Sequence, residues 1–242
     1  MKIVAAQISS YPGKIDQNIA KHISIIERAV SHGAEFVFFP ELSLTAYEPS
    51  LAGNLAIHIN DPKLEVFQQL SDRYGILISV GAPFRVEQGI EIAMFVFQPG
   101  LERLIYSKQL LHADETPYFS AGTDRYVFLL ANEVLVPAIC YESLQPVHAQ
   151  QASEAGATIY FASVAKSSRG VTAAYNHYPK IARQYKMAVV MANCVGPADN
   201  FIAAGRSGVW SDEGDLLIQA DETGEALVIY DSLTGEGKVS NI

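Results

Sequence analysis

Three polar residues stand where apolar, strand-like runs end, and their types could combine into one reaction. Glu41 follows "EFVFFP", Lys108 follows "ERLIYS", and Cys140 closes "EVLVPAI". In α/β folds, ligands and reactive groups gather just past strand ends. A thiol is a poor nucleophile until deprotonated, its free pKa lying near ~8.5. A carboxylate such as Glu41 could accept the thiol proton and return it to a leaving amine. A cation such as Lys108 beside the attacked carbonyl would stabilise the oxyanion, and the backbone N–H after Cys140 could supply a second donor. His112 and Glu115 follow close behind Lys108.

Each residue also has an ordinary reading. A cysteine ending an apolar strand can be a buried small hydrophobe. Glu41 can cap whatever follows its strand, Lys108 can be a solvated surface cation, and His112 a hydrogen-bonded structural residue. Cys194, inside "VVMANCVG", reads as core packing. Spacing alone leaves the nucleophile and the core thiol both open.

The elements that must position these residues alternate along the chain. "KIVAAQI" is a short apolar strand, and "DQNIAKHISIIERAV" sets Ile19, Ile23, Ile26 and Val30 at helical spacing before the stop "SHG". "EFVFFP" reads as a buried strand from its aromatic and β-branched content. In "DPKLEVFQQLSDRYG", Asp61 caps a helix, Pro62 suits its first position and Gly75 ends it. Strands "ILISVGAPF", "EIAMFVFQPG", "ERLIYSK", "YVFLL" and "EVLVPAIC" follow, the last two paired across "AN". A helix after Pro146, the strand "ATIYFAS", a helix around "NHYPKIARQYK" and the strand "MAVVMANC" come next, then three short strands in the tail. Tight turns join some neighbours and helices join others, which predicts a layered α/β sandwich. No composition break marks a linker, so one domain over residues 1–242 is expected.

Composition narrows the function classes. With 242 residues, 49% of them hydrophobic and 18% charged, the chain can bury a substantial core. A formal net charge of −9 disfavours nucleic acid as a partner. Two cysteines make no disulfide framework, and reduced thiols are expected. The apolar run in "MKIVAAQISS" is too short for a signal peptide, and no run is long enough to span a bilayer, so a cytoplasmic protein without a membrane partner is expected. His-Glu-x-x-His, phosphate-loop and dinucleotide glycine patterns are missing, and neither metal nor organic cofactor is expected.

"FPELSLTAY", "YSKQLLHADE" and "ICYES" resemble, in order, the glutamate, lysine and cysteine motifs of the nitrilase superfamily of carbon–nitrogen hydrolases. The similarity runs from "KIVAAQI" to "GRSGVWSDEGDLL". The resemblance implies a four-layer αββα sandwich, assembled as a homodimer or larger even-numbered oligomer. It implies Glu41 as general base, Lys108 as oxyanion-stabilising amine and Cys140 as nucleophile on a strand-to-helix elbow. Glu115 matches a second glutamate that positions the lysine and substrate, and the Tyr141 amide would join Lys108 in the oxyanion hole.

Some positions depart from the family's habit. Val136 and Pro137 stand where a glycine is common, and a strand proline points to an edge or bulge. Leu144 and Val147 replace a frequent arginine and acid, and Cys-Tyr-Glu replaces Cys-Tyr-Asp or Cys-Trp-Asp. The catalytic groups are intact while the substrate is left open. Tyr47, His112, Lys166 and Tyr175 are the expected substrate contacts, the last two from "SVAKSSRG" and "AAYNHYPK", where Arg169 and His177 also lie. The leading activity is hydrolysis of a small amide or carbamoyl compound through a thioester. Nitrile hydrolysis by the same thiolate and a non-catalytic scaffold are the alternatives.

Overall fold

The computed structural model describes residues 1–242. Its first half runs β1 (Lys2–Gln7), α1 (Ile15–Ser31), β2 (Phe36–Phe38), a one-turn α2 (Ala52–Leu55), α3 (Glu65–Tyr74), β3 (Leu77–Val86), β4 (Gly89–Phe97) and β5 (Leu104–Ser107). The second half runs β6 (Phe128–Leu130), β7 (Glu133–Ile139), α4 (Pro146–Glu154), β8 (Ile159–Val164), α5 (Ser168–Tyr185) and β9 (Ala188–Asn193). Six strands close the chain: β10 (Val195–Ala198), β11 (Phe201–Ala204), β12 (Gly208–Trp210), β13 (Leu216–Gln219), β14 (Ala226–Asp231) and β15 (Glu236–Asn241).

Two large sheets result, in the orders β15-β14-β1-β2-β3-β4-β5 and β13-β12-β9-β8-β7-β6, with β10–β11 a separate hairpin. Each has a parallel centre, β1-β2-β3 in one and β7-β8-β9 in the other, flanked by antiparallel strands. Parallel strands must be covered on both faces, which explains their nearly unbroken apolar runs. One face of each sheet packs on the other sheet: Phe36 and Phe38 of β2 meet Phe161 of β8 at ring-centroid distances of 5.0 and 5.2 Å. The outer face of the first sheet is covered by Ile25, Ile26 and Ala29 of α1 and Phe67 and Leu70 of α3. Ala149 and Ala152 of α4, with Ala174, Tyr178 and Ile181 of α5, cover the second. The layers are therefore α, β, β and α, and no helix is long and apolar enough to cross a membrane.

Several local expectations hold and others shift. Asp61 does accept the Lys63 N–H at 2.9 Å, and Gly75 ends α3 in the left-handed conformation. The buried face of α1, by contrast, is centred on Asn18, His22, Ile25, Ile26 and Ala29, not on the apolar stripe through Ile19, Ile23 and Val30. Helix α5 begins at Ser168, a full two turns before the expected segment, because Ser167 caps it. Its apolar positions Val171, Ala174, Tyr178, Ile181 and Ala182 are buried in the core, leaving Asn176, Lys180 and Gln184 outside. Pro137 lies opposite Phe161 on β8, beyond the reach of β6, which pairs only with Glu133–Leu135. The strand is thus an edge on that side at the proline. The β10–β11 hairpin and β15 lacked a sequence signal, "EGKVSN" being poor in strand-forming residues.

Candidate active site

The segments that follow β2, β5, β7 and β8 bring Tyr47, Glu115, Cys140 and Lys166 to one cavity, whereas Glu41 and Lys108 are buried and do not line it. Cys140 follows β7 with φ of +46°, a left-handed conformation that costs a residue with a Cβ roughly 1–2 kcal/mol. Hydrogen bonds hold it there. The Cys140 N–H donates to Ser163 O at 3.0 Å, while Cys140 O accepts the Ser143 N–H at 3.2 Å and the Ser143 hydroxyl at 2.5 Å. A turn at Glu142–Leu144 then leads into α4. The backbone reversal leaves Cys140 half-buried and the Tyr141 N–H without a protein acceptor.

Glu41 is carried by a tight loop after β2 in which Leu42 and Ala46 also have positive φ, of 53° and 62°. The loop lies directly on β3 at Gly81, where a Cβ would come within 2.6 Å of Leu42 N and 2.8 Å of Pro40 O. From the outside the polar face of α1 holds it. Asn18 donates to Leu44 O at 2.9 Å, and His22 Nε2 meets Ser43 Oγ at 2.9 Å. His22 Nδ1 lies 2.7 Å from Asn18 O and so carries the ring proton, leaving Nε2 to accept from Ser43. These buried polar residues on an amphipathic helix went unread in the sequence, although they broke its apolar stripe.

Lys108, fully buried at the end of β5, donates to Glu41 Oε1 at 2.7 Å and Glu115 Oε1 at 2.5 Å. Glu115 also accepts the Tyr47 hydroxyl at 3.0 Å and the His112 N–H at 2.7 Å. Glu41 Oε2 has no hydrogen-bond partner despite its burial. Burial raises the Glu41 carboxyl to about 7; the Lys108 charge opposes the rise and the Glu115 charge adds to it. Burial tends to deprotonate Lys108, but the charges of Glu41, Cys140 and Glu115 outweigh it and hold the ammonium above its ordinary value. The Cys140 thiol is pushed up to about 11 by burial and then by Glu41, with Lys166 and Lys108 pulling the other way. The resting pair is therefore a neutral thiol beside a base that ionises near neutrality.

Glu142 explains the acid two residues after the thiol. Its Oε1 accepts the Tyr106 hydroxyl at 2.6 Å and the Ile139 N–H at 2.7 Å; its Oε2 accepts the N–H groups of Gln109 and Leu110 at 2.8 and 3.3 Å. One carboxylate thus ties the elbow to the segment leaving Lys108. Behind it, His148 bridges Tyr106 and Tyr160 at 2.9 and 2.7 Å.

The cavity above Cys140 has a volume of about 340 Å³, and Tyr47, His112, Glu115, Tyr141 and Lys166 all line it. His112 stands edge-on to Tyr141, ring centroids 5.2 Å apart. Lys166 is buried, its Nζ 3.6 Å from Cys140 Sγ and 3.3 Å from Cys140 O. Tyr175, expected in the pocket, is elsewhere. Its ring packs on Trp210 and under Arg206, and its hydroxyl donates to Arg206 O at 2.8 Å, because α5 turns that face toward β12. Arg169 and His177 do not line the cavity either. Cys194 is half-buried outside the cavity, and no group of three or more His, Cys, Asp or Glu residues is arranged to hold a metal.

Comparison with known proteins gives a consistent result. The family model described as carbon–nitrogen hydrolase matches residues 2–233. The NitN amidase from Nesterenkonia sp. AN1 superposes with a TM-score of 0.87 at 21% identity, over 96% of this chain and 92% of that one. A cysteine-to-alanine mutant of the amidase from the same organism, in complex with butyramide, matches with a TM-score of 0.86 at 21% identity, covering 95% and 89% of the two chains. Among curated proteins, the glutamine-dependent NAD(+) synthetase of Acinetobacter baylyi is 26% identical over 239 residues. That alignment takes in 93% of this chain and 43% of the synthetase, so the chain spans less than half the length of that relative.

Proposed function

This chain belongs to the carbon–nitrogen hydrolases of the nitrilase superfamily, and we propose that it hydrolyses a small amide or carbamoyl compound through a thioester on Cys140. The observation that carries the reading is Glu41 Oε2, a buried carboxylate oxygen that no hydrogen-bond donor satisfies, on a side chain that interacts with the Cys140 thiol displayed on a left-handed elbow. Native proteins rarely leave such an atom unsatisfied without a use for it.

The chemistry follows from the geometry. Glu41 takes the thiol proton as sulfur attacks the carbonyl carbon, and the carbonyl π pair moves to oxygen. Lys108 Nζ and the free Tyr141 N–H receive the oxyanion. Collapse re-forms the carbonyl and expels ammonia or an amine, which takes its proton from Glu41. Water, deprotonated by Glu41, then attacks the thioester, and Cys140 leaves as a thiolate that recovers its proton. Glu115 keeps the Lys108 ammonium in place through their 2.5 Å contact and holds Tyr47 at the rim.

The test is a panel of aliphatic amides, carbamoyl amines, nitriles and free glutamine, read by ammonia release. Butyramide belongs in it because the Nesterenkonia amidase mutant binds it, and glutamine because the curated relative is glutamine-dependent. Ammonia released by the wild type and lost in Cys140→Ala supports the amidase; turnover of nitriles alone replaces it with a nitrilase. If nothing on the panel is turned over, the scaffold alternative takes its place. Assembly as a homodimer or larger even-numbered oligomer is proposed from the family resemblance. A monomer mass by light scattering at micromolar concentration would rule it out.

A further inference from the structure

The two lysines at the thiol are in opposite states. Lys108 is held by two carboxylates, whereas no carboxylate lies within 4.0 Å of Lys166 Nζ, although Lys166 is only 5% exposed. A buried ammonium without a counter-ion is costly, so its position calls for a use. That position is built. Asn193 accepts the Lys166 N–H at 2.8 Å and donates back to Lys166 O at 3.1 Å, and the Ala204 N–H adds a bond to the same oxygen at 3.0 Å. Gly170 clears the path for the side chain, since a Cβ there would sit 3.1 Å from Lys166 Cβ. The ammonium ends 3.6 Å from the sulfur.

Charge balance indicates what it does. Glu41 and Glu115 outweigh Lys108 by one negative charge, and moving the thiol proton to Glu41 leaves that one uncompensated charge on the sulfur. Lys166 brings the set to neutrality. We propose that Lys166 is an additional catalytic residue, whose ammonium carries the charge on the Cys140 sulfur whenever its proton is absent. This rests on Cys140 being the nucleophile. In attack, the S–H bond breaks, its proton passes to Glu41 Oε2, and the sulfur pair forms the S–C bond with Lys166 facing the sulfur. In deacylation the S–C pair returns to sulfur, and the same ammonium receives the departing thiolate. Of the cationic groups near the sulfur, Lys166 lowers the thiol more than Lys108 does. The other titratable groups that sense this site are Glu41, Glu115, Tyr47, Tyr178, Cys194 and, on α5, His177.

The test reads the sulfur without needing a substrate. In a Cys194→Ala background, the full chain is alkylated with uncharged iodoacetamide across about pH 6–10, and intact mass verifies a single adduct. Lys166→Met is expected to slow alkylation across this range, all of it below the thiol's midpoint, by about tenfold, the change that a rise of about one unit in the thiol produces. Lys166→Arg, which keeps a cation, restores most of the rate. Melting temperature separates this from a structural role: Lys166→Met removes a buried unpaired charge and should hold or raise it. Wild-type alkylation by Lys166→Met overturns the proposal, as does a slowed rate accompanied by a lowered melting temperature that Arg fails to restore. A Lys166-dependent alkylation profile in a protein that hydrolyses nothing on the panel would leave this inference standing and remove the amidase reading. Amide turnover through Cys140 with Lys166-independent alkylation would do the reverse.

Discussion

Two carboxylates flank the elbow, Glu41 from the first sheet and Glu142 from the turn after Cys140, and both are buried. Burial raises both carboxyls. They differ in what surrounds each oxygen. Glu142 has four donors shared between its two oxygens, three of them backbone N–H groups, whereas Glu41 has Lys108 on one oxygen and nothing on the other. A satisfied buried network rigidifies, and one lone pair left open at a thiol is a proton acceptor. The neighbourhood of Cys140 thus contains a frame and a reactive group made of the same residue type.

That contrast breaks most decisively at the reactive side. Cys140→Ala or Cys140→Ser should abolish amide hydrolysis with the melting temperature unchanged, while Cys194→Ala keeps activity. Glu41→Gln should cost on the order of 10²–10⁴ in turnover, the range of a positioned acid–base group. It should also slow thioester hydrolysis enough for an acyl adduct on Cys140 to appear by intact mass when a reactive ester is supplied. Normal turnover in the Cys140 variants would return Cys140 to a core thiol.

Lys108→Met keeps bulk and deletes the cation that would hold the oxyanion, with an expected loss on the order of 10²–10³. Lys108→Arg should fail nearly as badly, since a planar fork cannot sit between Glu41 and Glu115 as a compact ammonium does. Wild-type rates in Lys108→Met and Glu41→Gln together would mean that these strand ends do not share one reaction.

On the frame side the effect should be smaller and of another kind. Glu142→Gln sets an amide NH₂ against backbone N–H donors, an expected cost of roughly 1–3 kcal/mol. At about 2–4 °C per kcal/mol for a chain of this size, a thermal melt would register it. Turnover should fall only through loosened placement of Cys140 and Lys108. The pH profile tells the two acids apart: kcat/KM should rise with pH through about 7 as Glu41 becomes the carboxylate that can accept a proton. Glu142→Gln should keep that acid limb. A limb that vanishes with Glu142 would move the base to the wrong glutamate.

The frame was also the harder part to read in the sequence. Glu41, Lys108 and Cys140 each interrupt an apolar run at a strand end, a local signal visible without the fold. Tyr47, His112 and Lys166 do reach the cavity, whereas Tyr175 does not, because the orientation of α5 is set by Ser167 and the packing on Trp210. Glu142 was visible as an oddity, but its partners Gln109 and Leu110 lie on another strand's exit, over thirty residues earlier. Asn193, at the end of β9, carries the same strand-end signal, masked within the apolar run "VVMANC". The distance from Lys166 to the sulfur joins two strand ends of one sheet, and only the pairing of β7 with β8 sets it.

The smallest expected effect tests the support behind Glu41. His22 is buried under the Glu41 loop, with both ring nitrogens hydrogen-bonded, and burial lowers its pKa to about 3. In the unfolded chain the ring titrates near ~6.5, so between the two values the unfolded state binds the extra proton. The His22 contribution is thus fully present above about pH 6.5 and is lost as pH falls toward about 3. His148, lowered to about 4 by burial, acts in the same direction over a narrower window. Glu41, raised to about 7, opposes them: the folded state keeps its proton longer, so its share of stability falls as pH rises from the unfolded value to about 7. Because Glu41 is common to wild type and variant, their difference isolates the histidine. His22→Gln should melt below wild type at neutral pH, and the gap should close as the buffer is taken from pH 7 toward 4. Turnover should drop only a few-fold, through a looser Ser43 and the loop it holds against Gly81. A gap that stays constant across that range would mean that His22 titrates in the folded protein as it does in the unfolded chain, and that the loop bearing Glu41 is held by some other contact.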